Sequence, residues 1–74
     1  MSEGLPVCSG AEAVRAFTKA GWTKDRQKGS HVMLKKPGAS VVLSVPQHSQ
    51  LKKGTLRTLV SYSGLTVEEF TKLL

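Results

Sequence analysis

Ala13, Val14, Phe17 and Ala20 recur at helical spacing early in the chain, and one face of a helix collects residues so spaced. Ser9-Gly10-Ala11-Glu12 stands just ahead of them. It fits a capping box, in which a hydroxyl and a carboxylate each satisfy a free N–H. Gly21 predicts the end of that helix. The period then changes to two. Trp22 to Lys28 predicts a first strand and His31 to Lys36 a second, with Val32 and Leu34 facing one way and His31, Met33 and Lys35 the other. Gly29-Ser30 between them suits a two-residue hairpin, because glycine at the first central position supplies the positive φ of a type II′ turn. Lys36-Pro37-Gly38-Ala39 predicts a type II turn. Val41 to Val45 is the most apolar run and predicts a third strand, ended by Pro46.

Gln47 to Lys52 is a polar loop. A second helix is predicted from about Lys53, with Leu56, Leu59 and Val60 on one face and Gly64 beyond its end. Thr66-Val67-Glu68-Glu69 is a second capping box, opening a short helix that buries Val67, Phe70 and Leu74. Strands joined by short turns pair antiparallel. The expectation is an α+β domain of order α-β-β-β-α(-α), a three-stranded antiparallel sheet with helices on one face and the other face free. The domain spans 9–74. Residues 1–8, with Gly4 and Pro6 and no periodicity, form a flexible N-terminal tail.

Composition adds bounds. At 74 residues the chain holds one small core, and a domain of this size buries only about 60% of its unfolded surface. Its single cysteine, Cys8, is expected to be a small buried or half-buried residue and cannot make an internal disulfide. No long apolar run spans a membrane, and the N-terminus has no secretory pattern. The expected location is cytoplasmic.

Charge changes the picture most. The net charge is +6. The acids are Glu3, Glu12, Asp25, Glu68 and Glu69, so none lies between Arg26 and Val67. That stretch holds Arg26, Lys28, Lys35, Lys36, Lys52, Lys53, Arg57 and both histidines. A solvated face usually mixes signs; a one-sign segment suits a phosphate backbone.

The candidate chemistry centres on Arg26-Gln27-Lys28-Gly29-Ser30-His31. Histidine, with an unperturbed pKa of about 6.5, can take and give a proton near neutral pH. His31 is therefore a candidate general base for a reaction on a polyanion. Arg26, Lys28, Ser30, Lys35, Lys52 and Lys53 are candidate contacts to a phosphate backbone. His48 is a candidate general acid or a loop histidine that packs; the sequence leaves both open. Other chemistries fit poorly. Glu68 and Glu69 are adjacent and do not face each other on a helix. His31, His48 and Cys8 lack metal-ligand spacing, so no metal or other cofactor is expected. Ser30 and His31, as neighbours in a strand, point to opposite faces.

The element order, with Lys52-Lys53 opening the second helix, resembles a double-stranded RNA-binding domain. A closer likeness covers roughly Ser9 to Leu74. Gly21-Trp22, Arg26-Gln27-Lys28-Gly29-Ser30-His31, Val45-Pro46-Gln47-His48, Leu51-Lys52-Lys53-Gly54-Thr55-Leu56, Gly64-Leu65-Thr66 and Glu69-Phe70 together resemble the HicA toxin family. Gln50 and Ser63 depart from its pattern, where an acid and an alanine are common. The resemblance implies a ribonuclease that cuts messenger RNA and arrests growth. It implies His31 as the catalytic histidine and inhibition by a HicB-type antitoxin protein. A non-catalytic double-stranded RNA-binding module, or an interaction protein docking an acidic partner, are the alternatives.

Overall fold

Both expected capping boxes form, and they set where the first and last helices begin. The Ser9 hydroxyl accepts from the Glu12 N–H at 3.1 Å while the Glu12 carboxylate accepts from the Ser9 N–H at 2.8 Å. Thr66 and Glu69 make the same exchange at 3.0 and 2.9 Å. The computed structural model of the chain describes residues 4–74. Its elements are α1 (Gly10–Lys19), β1 (Thr23–Lys28), β2 (His31–Lys35), β3 (Leu43–Pro46), α2 (Lys53–Ser63) and α3 (Val67–Leu73). The strands form one antiparallel sheet in the order β1-β2-β3. The helices cover one of its faces, which is the arrangement of a double-stranded RNA-binding domain.

The core lies between that face and the helices. Val32, Leu34, Leu43 and Val45 of the sheet pack with Ala13, Ala16 and Phe17 of α1, Leu56, Leu59 and Val60 of α2, and Phe70 of α3. The Phe17 and Phe70 rings meet with centroids 5.0 Å apart and tilted by 38°, a favoured aromatic geometry. Trp22 is buried under the start of β1, with the Lys36 ammonium 5.9 Å from its ring centre. Glycine closes α2: Gly64 takes φ +82°, the left-handed conformation of a helix C-cap. The Ser63 hydroxyl, buried at the same end, is satisfied locally. It donates to the Val60 carbonyl at 2.6 Å and accepts from the Leu65 N–H at 3.2 Å.

Several details differ from the expectations, among them the end of β2 at Lys35 rather than Lys36. The third strand starts at Leu43 rather than Val41, because pairing sets it: Leu34 faces Leu43, Val32 faces Val45 and His31 faces Pro46. Val41 and Val42 precede it and stay exposed. Pro46 closes the strand from within. Gln47 donates inward to the Ser30 carbonyl at 2.7 Å, so by alternation the Pro46 nitrogen faces the open edge, where no donor is required. The first strand begins at Thr23, since Trp22 turns into the core. At the C-terminus, Leu73 packs against the core and Leu74 lies beyond α3, exposed.

A further difference concerns the expected tail. Its first three residues lie outside the described residues. Leu5, however, packs against the core, and Cys8 is buried in it with its carbonyl accepting from the Leu51 N–H at 2.9 Å. The packed part of the domain therefore begins before Ser9. Burial first, and then the Glu12 carboxylate, push the Cys8 thiol above its ordinary 9.0. The folded chain thus holds that proton where the unfolded chain releases it, so stability should fall as pH rises past 9.0. Cys8 should also resist alkylation in the native protein and react after denaturation, as mass spectrometry would show.

Candidate nucleic-acid interface

The hairpin between β1 and β2 places His31. Gly29 has φ +61° and no non-glycine residue has positive φ among the described residues, which fits a type II′ turn through Gly29-Ser30. His31 then stands opposite Lys28 on β1 and opposite Pro46 on β3. Residues opposite one another share a sheet face. Lys28, His31 and Pro46 form one row of the open face, Arg26, Met33 and Ser44 the next, and Thr23 with Lys35 a third. Lys28, His31, Arg26 and Lys35 are all exposed. The face opposite the core is therefore basic, and His31 lies on it.

One acid reaches this face, and the charge pattern of the sequence does not reveal it. The β1–β2 register slips between Lys24 and Arg26, so Asp25 is the extra residue of a bulge. Its Oδ2 lies 3.3 Å from Arg26 Nε and 3.7 Å from Lys35 Nζ. Exposed pairs of this kind contribute about 0–1 kcal/mol, so Asp25 draws two cations together on this face without locking them. Asp25, Arg26, Lys28, Met33, Lys35 and Val42 together line a shallow hollow of about 190 Å³.

Three backbone hydrogen bonds bring the Gln47–Lys52 loop to the His31 end of the sheet. Gln47 donates to Ser30, Gly10 donates to the His48 carbonyl at 3.0 Å, and Leu51 donates to Cys8. The loop is thus laced to the hairpin on one side and to the approach of α1 on the other. Its consequence for His48 is an exposed side chain two residues beyond the strand partner of His31. Gly10 is buried here, and a Cβ on it would overlap the Pro46 carbonyl oxygen. Both the glycine and the lacing depend on contacts distant in sequence, and only Gly10's place after Ser9 could have drawn notice to it.

The same loop delivers Lys52 and Lys53 to the start of α2. Lys52 is the N-cap and makes no side-chain cap hydrogen bond; the first turn holds no acid. Free N–H groups, the helix dipole and two exposed ammonium groups all favour an anion there. The candidate residues therefore fall into two groups. Arg26, Lys28, His31 and Lys35 share the open face, while Lys52 and Lys53 sit at a helix start in the other layer. Ser30, in the turn, and His48, two residues beyond Pro46, lie toward the His31 end of the sheet. Among the described residues, no three histidine, cysteine or acidic side chains lie close enough to hold a metal ion. No helix of the described residues is long and apolar enough to cross a membrane.

Among curated proteins, none matches the chain significantly in sequence. Among solved structures, a chain of a toxin–antitoxin complex from Streptococcus pneumoniae is similar, with a TM-score of 0.69 and 34% sequence identity. The likeness covers 77% of this chain and 97% of that one. The family model described as the HicA toxin of bacterial toxin–antitoxin systems matches residues 10–65, a span that runs from the α1 start through the His31 hairpin and the laced loop to the end of α2. The chain belongs to the HicA toxin family.

Proposed function

We propose that this protein is the toxin of a type II toxin–antitoxin pair, a cytoplasmic endoribonuclease that cuts messenger RNA without a metal. The observation that carries this reading is His31 itself: an exposed imidazole on an open, basic sheet face, with Lys28 directly across the hairpin. Cutting RNA without a metal needs a base near the ribose 2′-hydroxyl and positive charge near the phosphate. His31 takes the 2′-OH proton. The 2′ oxygen attacks the adjacent phosphorus, and the bond to the 5′ oxygen breaks. That oxygen leaves with a proton from a second group, for which His48 is placed at the same end. Arg26, Lys28 and Lys35 stabilise the added charge on the phosphate. The products are a 2′,3′-cyclic phosphate and a 5′-hydroxyl.

The test is cleavage of a labelled RNA by the purified chain in excess chelator, with the ends identified by mass spectrometry. Cyclic phosphate ends are expected. Binding of RNA with no cleavage would instead favour the non-catalytic module, for which the Lys52-Lys53 helix start would suffice. Affinity should also fall with salt. If about four single-strand phosphates are neutralised, log K against log salt has a slope of about −3. Lys52→Ala or Lys53→Ala should weaken binding and flatten that slope.

The Streptococcus pneumoniae chain was solved in a toxin–antitoxin complex; that likeness and the family match support a HicB-type antitoxin as the partner of this chain. A partner that stops cleavage has to cover the His31 hairpin and bring acids to the basic face. Complex formation should therefore slow hydrogen exchange from Arg26 to Lys35. Protection confined to α3, with cleavage still blocked, would show that inhibition acts elsewhere.

A further inference from the structure

We infer that the hollow on the open sheet face seats one unstacked base of single-stranded RNA, beside the phosphodiester whose cleavage His31 starts as general base. This rests on the ribonuclease reading above and names the form of RNA the site takes. The hollow has an apolar floor and a charged rim. Of its lining residues, Met33 and Val42 alone are apolar; the rest are Arg26, Lys28, Lys35 and Asp25. Val42 is 42% exposed and Met33 half-buried. A site for phosphate alone needs no such floor. A-form duplex offers phosphates and 2′-hydroxyls, but its bases are stacked and closed to a flat surface. A single strand offers both base faces and backbone, and sites for it combine cations with surfaces on which bases stack, commonly aromatic; in this hollow Met33 and Val42 supply the apolar surface.

The spacing supports the same occupant. Met33 and His31 lie two residues apart on β2 and on one face, about 7 Å. That is close to the step between neighbouring nucleotides of an extended strand. A base over Met33 and Val42 thus leaves the adjoining phosphodiester at His31. Lys28 belongs to both places, since it lines the hollow and stands opposite His31. Arg26 and Lys35, both paired with Asp25, meet the phosphate on the other side of the seated nucleotide. The bulge at Asp25 and the late start of β3 build the hollow: one draws the cations together, the other leaves Val42 in reach of solvent.

The test uses the His31→Ala protein, which holds RNA without cutting it, and follows binding by fluorescence anisotropy. The probes are a short labelled single strand, the same strand with one base removed at each position in turn, and its duplex. The single strand should bind more tightly than the duplex, and removal of one particular base should weaken binding about fivefold. Met33→Ser or Val42→Ser in that background should weaken the intact strand by a similar factor and abolish the dependence on that base. Both substitutions replace side chains that reach solvent, so the fold persists. Preference for the duplex, or an unchanged base dependence in both variants, would overturn the seat. If the chain cuts RNA but the base scan is flat, the seat fails and the ribonuclease reading stands; if no RNA is bound in any form, the ribonuclease reading fails and the seat with it.

Discussion

His31→Ala should abolish RNA cleavage and growth arrest while leaving the fold, RNA binding and antitoxin binding in place. The asymmetry follows from where His31 sits. Its side chain is exposed, makes no hydrogen bond among the described residues and faces away from the core. Substitutions at such positions change stability by about 0.5 kcal/mol or less, which for a domain of this length moves the melting temperature by about 4 °C at most. Turnover is another matter. One positioned acid–base group is worth about 10²–10⁴-fold, roughly 3–5 kcal/mol of barrier. A slow toxin deprived of that factor no longer arrests growth. Free imidazole added to the variant should restore part of the cleavage, a response that a purely structural histidine would not give. His48→Ala is the graded companion, with a large loss of rate if the side chain protonates the leaving oxygen and a small one if it only fills the loop. Full cleavage by a folded His31→Ala protein would falsify the mechanism.

The parts of this molecule written in the sequence are those decided within a few residues. Ser9 with Glu12 and Thr66 with Glu69 cap their helices through bonds that span three positions. Gly29, Gly38 and Gly64 stand where the backbone needs positive φ. Alternation along β2 separates Val32 and Leu34 from His31, Met33 and Lys35, and that alone places the histidine on the open face. What was not legible depends on partners far along the chain. Pairing of β3 with β2 stops at Leu34 and Leu43, which sequence alternation alone does not show, so the apolar run at Val41-Val42 misleads. Asp25 stands next to Arg26 in sequence, yet its contact with Lys35 exists only because a bulge turns it onto the basic face. The role of Cys8 in anchoring Leu51 is a backbone bond that no side chain announces.

The same glycine-to-alanine change should act with opposite sign at Gly10 and Gly54. Neither position has positive φ, so backbone strain does not separate them and the surrounding space does. A Cβ on Gly10 would overlap the Pro46 carbonyl oxygen and lie 2.9 Å from the Gln47 Cα. Both are backbone atoms, held by the Ser30, Cys8 and His48 hydrogen bonds, so neither can give way cheaply. Overpacking of this kind costs about 3 kcal/mol, a large share of the roughly 4–11 kcal/mol available to a chain of this length. A Cβ on Gly54 meets nothing within 4 Å, and replacing a helical glycine there should contribute up to about 0.5–1 kcal/mol. Thermal melts should show Gly10→Ala lower by about 10–20 °C and Gly54→Ala unchanged or slightly higher. The functional consequence follows from what the Gly10 contact holds. Pro46 is the strand partner of His31, and Gly10 itself donates to the His48 carbonyl, so relief of the clash moves the loop carrying His48 away from the end of the sheet. Gly10→Ala should therefore cut more slowly even at temperatures where it is fully folded, whereas Gly54→Ala should cut at the parent rate. Equal melting temperatures for the two variants would show that the close approach of α1 to β3 is not what holds this end of the domain together.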